Sequence, residues 1–212
     1  MRPRLPKLRP APPAERARRA QRYAEVQTGR RARFWQLVGK VDQKLLVAMR
    51  TRGHTPTTER IATSLGTVGE WGVIWALLGG AGAAIDPQRS FPWRSAAVCA
   101  PAAVVANYGV KLLAGRERPL IEDHPPLATA PSKLSFPSAH STSSMAGAIA
   151  LGRVEPRAGA PLLGLAVAIC LCRPFLGMHY PTDVAAGMAL GAVIGRAWPL
   201  ELAAAAGESA AR

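Results

Sequence analysis

The 212-residue chain has few aromatic residues, three cysteines, four histidines and half as many acidic as basic groups, and each shortage removes a class of answers. Aromatics make up 6% of the residues while 49% are hydrophobic, so Ala, Leu, Val and Gly carry the apolar content, as in packed helices. Cys99, Cys170 and Cys172 lie in or beside apolar segments and form no CxxC pair, which argues against a disulfide framework and a zinc knuckle. They read as small buried thiols. Acidic residues number 13 against 27 Lys/Arg, and the imbalance is local: residues 1–60 hold 16 Lys/Arg and 4 Asp/Glu, residues 61–212 hold 11 and 9. The start of the chain also lacks the apolar stretch of a secretory signal.

What is present divides the chain into four. Residues 1–33 combine Arg, Pro and Ala with almost no apolar periodicity, which predicts a disordered basic arm. An arm that binds nucleic acid would look similar. The apolar remainder favours anionic membrane lipid headgroups as its partner instead, each Lys or Arg near such a surface contributing about 1 kcal/mol. Over residues 34–60, Phe34, Leu37, Val38, Val41, Leu45 and Met49 recur at helical spacing with Lys40, Asp42, Gln43 and Lys44 between them, so an interfacial amphipathic helix and a linker are expected. Residues 61–200 carry five apolar segments, from Ile61 to Ile85, Ser95 to Leu113, Ser141 to Gly152, Ala158 to Leu171 and Thr182 to Trp198, against the roughly 20 residues a helix needs to cross a bilayer. Two of them are short, which leaves a buried helical core without lipid as the alternative. Gly187, Gly191 and Gly195 recur every fourth residue on the last segment and admit a close neighbouring helix. Residues 201–212 read as a flexible tail. The expectation is an all-α transmembrane bundle of about five spans, multi-pass in the plasma (inner) membrane.

With five alternating crossings the polar residues that flank the spans fall on one face. Lys111, Arg116 and Arg118 end the second segment, Ser138 and His140 precede the third, Arg173 and His179 follow the fourth, and Asp183 opens the fifth. Lys111 and Arg118 are seven residues apart and share a helical face if the helix runs past Gly115; Pro119 then breaks it. Two such cations suit phosphoryl oxygens, Arg in bidentate fashion. In Phe136-Pro137-Ser138-Ala139-His140-Ser141, Pro and Ser precede an apolar run as a helix start requires, and a helix N-terminus offers backbone N–H groups to an anion. The Ser138 hydroxyl can cap the helix and donate to phosphate, and His140 can titrate near neutral pH. The run Cys172 to Asp183 adds Arg173 as a third cation, His179 as a nucleophile and Asp183 to hold its far ring nitrogen. The His179 and Asp183 pair by itself would also suit a metal. No further His, Asp or Glu at ligand spacing accompanies it, so neither metal nor cofactor is expected.

Lys111 to Pro119 as KxxxxxxRP, Pro137 to His140 as PSAH and Cys172 to Asp183 as CRxxxxxHxxxD closely resemble, in order, the three signatures of the type 2 phosphatidic acid phosphatase (PAP2) superfamily. The resemblance covers about residues 61–198. It implies a helical-bundle, metal-independent lipid phosphatase in which His179 attacks phosphorus to give a phosphohistidine and His140 protonates the leaving oxygen. Lys111, Arg118, Arg173, Ser138 and amides such as that of Ala139 would bind the phosphoryl oxygens. Ala139 stands where the family usually has Gly, and Cys172 where it usually has Ser. The implied substrates are lipid phosphate monoesters or diphosphates: phosphatidic acid, polyprenyl phosphates, or a prenyl-phospho-ribose phosphate. The same resemblance reaches soluble acid phosphatases and vanadate haloperoxidases, and a non-catalytic lipid-phosphate binder is the reading from a different class. The basic arm, on the same face as the site, argues through the positive-inside rule for a cytoplasmic site.

Overall fold

The helix starts and stops are written in local chemistry. Thr55 caps the helix that opens at Pro56, its hydroxyl accepting the Thr58 N–H at 3.1 Å while Thr58 reaches back to the Thr55 N–H at 2.9 Å. Ser138 caps the helix that follows the PSAH motif, and Pro181 occupies the first turn of the last one, where its missing N–H costs nothing. Gly115, at φ 63°, ends the longest apolar helix in the left-handed conformation.

The computed structural model describes residues 30–121 and 124–200, with side chains from Val38 onward; most of the predicted arm and the 201–212 tail lie outside the described residues. Among these residues there are seven α-helices: α1 (Arg30–Thr51), α2 (Pro56–Val68), α3 (Val73–Ile85), α4 (Ser90–Ala114), α5 (Ala139–Val154), α6 (Gly159–Phe175) and α7 (Pro181–Ala197). Single 3-10 turns precede α3, α4 and α6, and one isolated bridge, Glu117 with Leu134, is the only β pairing among the described residues. The chain divides inside α1 into a unit ending at Val41 and a unit from Asp42 onward.

The second unit is built around α5, which packs against α4, α6 and α7. Its Ser141, Thr142, Ser143, Ser144, Ala146, Gly147 and Ala148 are all buried. Small side chains there let backbones approach. At Gly195, for example, a Cβ would stand 2.7 Å from the Ala146 carbonyl oxygen, and at Gly187 a Cβ would stand 2.6 Å from that of Ser138, so the predicted glycine ladder of α7 is the seam against α5. On another side Gly147 receives Trp75, a fully buried side chain whose indole reaches Ser144 Oγ at 3.3 Å.

Pro87–Ala114 and Pro156–Phe175 are long and apolar enough to cross a membrane, and α2 with α3 makes a third candidate, bent by 45°. Helices α5 and α7, at 16 and 17 residues, are shorter than that test requires, so length and composition alone mark two or three of the five expected segments as spans. A helix enclosed by its neighbours has no need of an apolar face, which is why α5 tolerates four consecutive buried hydroxyl residues. The segment from Ile61 to Ile85 is not one rod: Gly69, Trp71 (φ 55°) and Gly72 (φ 75°) break it.

Helix α1, expected as an interfacial amphipathic helix from the spacing of Phe34 to Met49, runs over Arg30–Thr51. Asp42, Leu46 and Arg50 are buried, at 1%, 0% and 5% exposure, while Val41 and Leu45 are at least half exposed. Leu45, Ile85, Val105, Leu112, Leu113 and Val193 are outward apolar side chains of the second unit, the kind of surface that lipid, rather than water, covers.

Candidate active site

The C-terminal ends of α4 and α6, the N-terminal end of α5 and the loop before α7 meet around one cavity of about 50 Å³, whose walls include Lys111, Arg118, Ala139, His140, Arg173 and His179. One water needs about 10–15 Å³ measured this way, so the space accommodates a group of several heavy atoms. Residues from three separated motifs are therefore brought together.

Lys111 sits in the last turn of α4, 2% exposed, with Nζ donating to the carbonyl oxygens of Leu134 and Ser135 at 3.3 and 3.4 Å. Arg118 does not reach it along a continuing helix, because Gly115 ends α4. The chain turns instead, and the strip after α4 pairs with the strip before α5: Arg118 N–H donates to Lys133 O at 3.1 Å and Ser135 N–H to Arg116 O at 2.7 Å. The Arg118 side chain donates to Ser132 O at 2.9 Å and to Met178 O at 2.7 Å, and its Nη1 lies 3.1 Å from His179 Nε2. Arg173, in the last turn of α6, is 5% exposed with its Nε lacking a hydrogen-bond partner. Gly66 makes room for it, since a Cβ there would stand 3.0 Å from Arg173 Nη1.

The contact to Arg118 fixes the tautomer of His179. A guanidinium only donates, so Nε2 accepts and Nδ1 carries the proton. Nδ1 then faces Asp183 Oδ2 at 3.6 Å, beyond hydrogen-bond length, and is otherwise unpaired. Burial first, then the cations Arg118, Arg173 and Lys111, hold the His179 imidazole well below its ordinary range, so it is neutral at neutral pH. Burial and the neighbouring Arg173 likewise bring Arg118 down to about 10, which still leaves it charged.

His140, in the first turn of α5, lies with Nε2 3.0 Å from Gly66 O. Ser138 is placed differently from the residues just named. Fully buried, its Oγ accepts the Ser141 N–H at 3.4 Å and its N–H donates to Asp183 O at 3.0 Å; it caps α5 and ties α5 to α7 and is not among the cavity-lining residues. Ala139 lines the cavity beside it.

Asp183 is held from behind by residues to which the sequence assigned no role. Arg116 Nη1 donates to Asp183 Oδ1 at 2.6 Å and to Thr182 Oγ1 at 2.8 Å, and its Nη2 donates to Asp42 Oδ2 at 2.6 Å. Asp42 also accepts the Thr182 N–H at 3.0 Å and the Thr182 hydroxyl. The guanidinium lies over the Tyr180 ring at 4.0 Å. An acid, a leucine and a basic residue four apart, Asp42, Leu46 and Arg50, were the available signal in α1, but the partners of that acid are 74 and 140 residues away. Among the described residues no three His, Cys, Asp or Glu side chains cluster as metal ligands would.

Residues 93–202 match the family model of the PAP2 superfamily. A decaprenylphosphoryl-5-phosphoribose phosphatase of Mycobacterium tuberculosis is 42% identical over 138 residues, covering 63% of this chain and 75% of the relative. Among solved structures, a transmembrane PAP2 type phosphatidylglycerolphosphate phosphatase from Bacillus subtilis superposes with TM-score 0.63 at 20% identity, covering 93% of this chain and 96% of that one. Aquifex aeolicus LpxE gives 0.58 at 24% identity, over 73% and 92%. At these identities the structural likeness is one of fold.

Proposed function

The chain belongs to the PAP2 superfamily and is a membrane-type phosphatase of that family, and from that premise we propose that it removes the terminal phosphate of a prenyl-linked pentose phosphate through a phosphohistidine at His179. The observation that carries the chemistry is a neutral imidazole, its Nε2 lone pair accepting from Arg118 at 3.1 Å, in one cavity with Lys111, Arg173 and His140. The substrate class is supported by the name of the Mycobacterium tuberculosis relative.

In the proposed reaction the phosphoryl oxygens are held by Lys111, Arg118, Arg173 and the Ala139 amide at the start of α5, and Arg118 exchanges its contact with Nε2 for one with the substrate. Nε2 then forms a bond to phosphorus while the bond from phosphorus to the sugar oxygen breaks, and that oxygen takes a proton from the His140 imidazolium, which becomes neutral. The positive charge gained by His179 draws Nδ1–H onto Asp183, closing the 3.6 Å separation. Water then attacks phosphorus and gives its proton to His140 while the bond from phosphorus to Nε2 breaks, which returns His140 to the imidazolium and His179 to the neutral imidazole. Three cations supply the charge neutralisation that a metal supplies elsewhere, so the reaction as proposed is metal-independent. Ser138 acts by holding α5 and α7 in place rather than as a donor to phosphate.

The test is phosphate release by the purified, detergent-solubilised protein from decaprenylphosphoryl-5-phosphoribose, phosphatidic acid and polyprenyl phosphates. The pentose phosphate is expected to give the highest kcat/KM and His179→Ala to release none. Equal rates across the panel would remove the substrate assignment, and full activity in His179→Ala the nucleophile.

A further inference from the structure

The cavity continues outward past the phosphate-handling residues. Lys111, Arg173 and His179 are buried, whereas Glu70 and Thr129 on the same walls are exposed, Tyr108 and Ser132 are half-buried and Trp71 is 53% exposed. Glu70 and Trp71 form the break between α2 and α3. Trp71 is the one non-glycine residue with positive φ among the described residues, a left-handed conformation that costs a bulky side chain about 1–2 kcal/mol. Such strain is retained where the surroundings require it, and it is concentrated at functional sites. Here the break is seated on the catalytic histidine: a Cβ at Gly69 would meet Ile169 at 2.5 Å and His140 Cδ2 at 3.4 Å. It presents the indole parallel to Tyr108, with ring centroids 6.4 Å apart and 2° between planes.

A carboxylate at the mouth of a cavity lined by three cations is chemically specific. It repels a second phosphoryl group directly attached to the first, and it offers nothing to a hydrocarbon tail. It accepts hydrogen bonds from hydroxyl groups, and an aromatic face beside it matches the C–H face of a sugar ring. We infer that Glu70 and Trp71, backed by Tyr108, form a subsite for a neutral, hydroxyl-bearing unit attached to the reacting phosphate and exclude a second phosphoryl group from that position. The inference rests on the proposed phosphatase reading and adds to it the choice between monoester and diphosphate.

The experiment compares kcat/KM for decaprenylphosphoryl-5-phosphoribose, phosphatidylglycerophosphate and decaprenyl diphosphate in wild type, Glu70→Gln, Glu70→Ala and Trp71→Ala, each purified in detergent. Ratios between substrates within one preparation cancel any loss of folded protein. Glu70→Ala and Trp71→Ala are expected to lower the two hydroxyl-bearing substrates by about tenfold relative to the diphosphate, the scale of one charge-assisted hydrogen bond. Glu70→Gln is expected to raise the diphosphate severalfold, because only the repulsion is removed. Ratios unchanged within about twofold in all three variants, the result expected if Trp71 and Tyr108 merely anchor the helix pair at the membrane surface, would overturn the subsite and leave the pentose phosphate assignment standing. A wild type that ignores the pentose substrate but loses its preference for phosphatidylglycerophosphate on Glu70→Ala would overturn the assignment and support the subsite.

Discussion

His179 serves as a nucleophile only while its Nε2 lone pair is unprotonated, and its surroundings secure that state by burial and by three nearby cations. Because its folded-state pKa lies below the unfolded value of 6.5, the group stays neutral as pH falls through 6.5. The stability it contributes is present above that pH and is lost as the pH drops, since the unfolded histidine charges first. Nitrogen-15 histidine spectra of the protein in detergent, assigned with His179→Asn, are expected to keep the Nδ1–H tautomer at about one unit below 6.5. A midpoint at 6.5 would contradict the electrostatics described for the site. At this scale the sequence is most legible where spacing and residue type suffice: Lys111, His140, Arg173 and His179 all line one cavity. It is least legible for Ser138, whose Oγ accepts the Ser141 N–H as the cap of α5 away from the cavity walls, because a capping serine and a phosphate-binding serine look alike in sequence.

The elements show why. Helix periodicity in α1 marked Val41 and Leu45 as an apolar stripe, and both are at least half exposed, but it gave no sign that Asp42, Leu46 and Arg50 are buried. In a membrane the apolar face can turn outward to lipid and the polar one inward to partners, and no local pattern distinguishes the two. Those partners define a prediction. Asp42→Ala removes one of the two carboxylates bonded to the Arg116 guanidinium and leaves its pair with Asp183, side chains 7% and 0% exposed; it is expected to cost roughly 3 kcal/mol in unfolding measurements and to lower kcat more than it changes KM. Asp42→Glu is expected to recover part of both. The α5 and α7 seam was legible, since the four-residue glycine repeat is itself the contact. Gly195→Ala, with a Cβ 2.7 Å from the Ala146 carbonyl oxygen, is expected to destabilise the fold by about 1–3 kcal/mol in the same assay. A neutral result would show that α7 can shift away from α5. The break at Gly69 to Gly72 was not legible, because apolar composition continues across it and only the backbone dihedrals reveal it.

Among the described residues, hydroxyl groups and cations share the interior with an apolar cluster that includes Trp75, Leu151 and Ile169, while Leu77, Leu112 and Leu113 lie on the surface. The N-terminal excess of basic residues supports the proposal that the cavity opens toward the cytoplasm. Cys99, Cys170 and Cys172 are buried, so a Ser132→Cys variant supplies one accessible thiol, expected to react with a membrane-impermeant reagent in inverted vesicles and to be protected in intact cells. Labelling from outside intact cells would reverse the orientation. The claim on which the account depends is that the imidazole of His179 takes the phosphoryl group. Rapid quenching in alkali of a reaction with substrate labelled in the terminal phosphate, followed by peptide mapping, tests it most directly, because phosphohistidine survives base. The predicted result is label on the peptide containing His179 and none in His179→Ala; label on any other residue, or full turnover by His179→Ala, would contradict it.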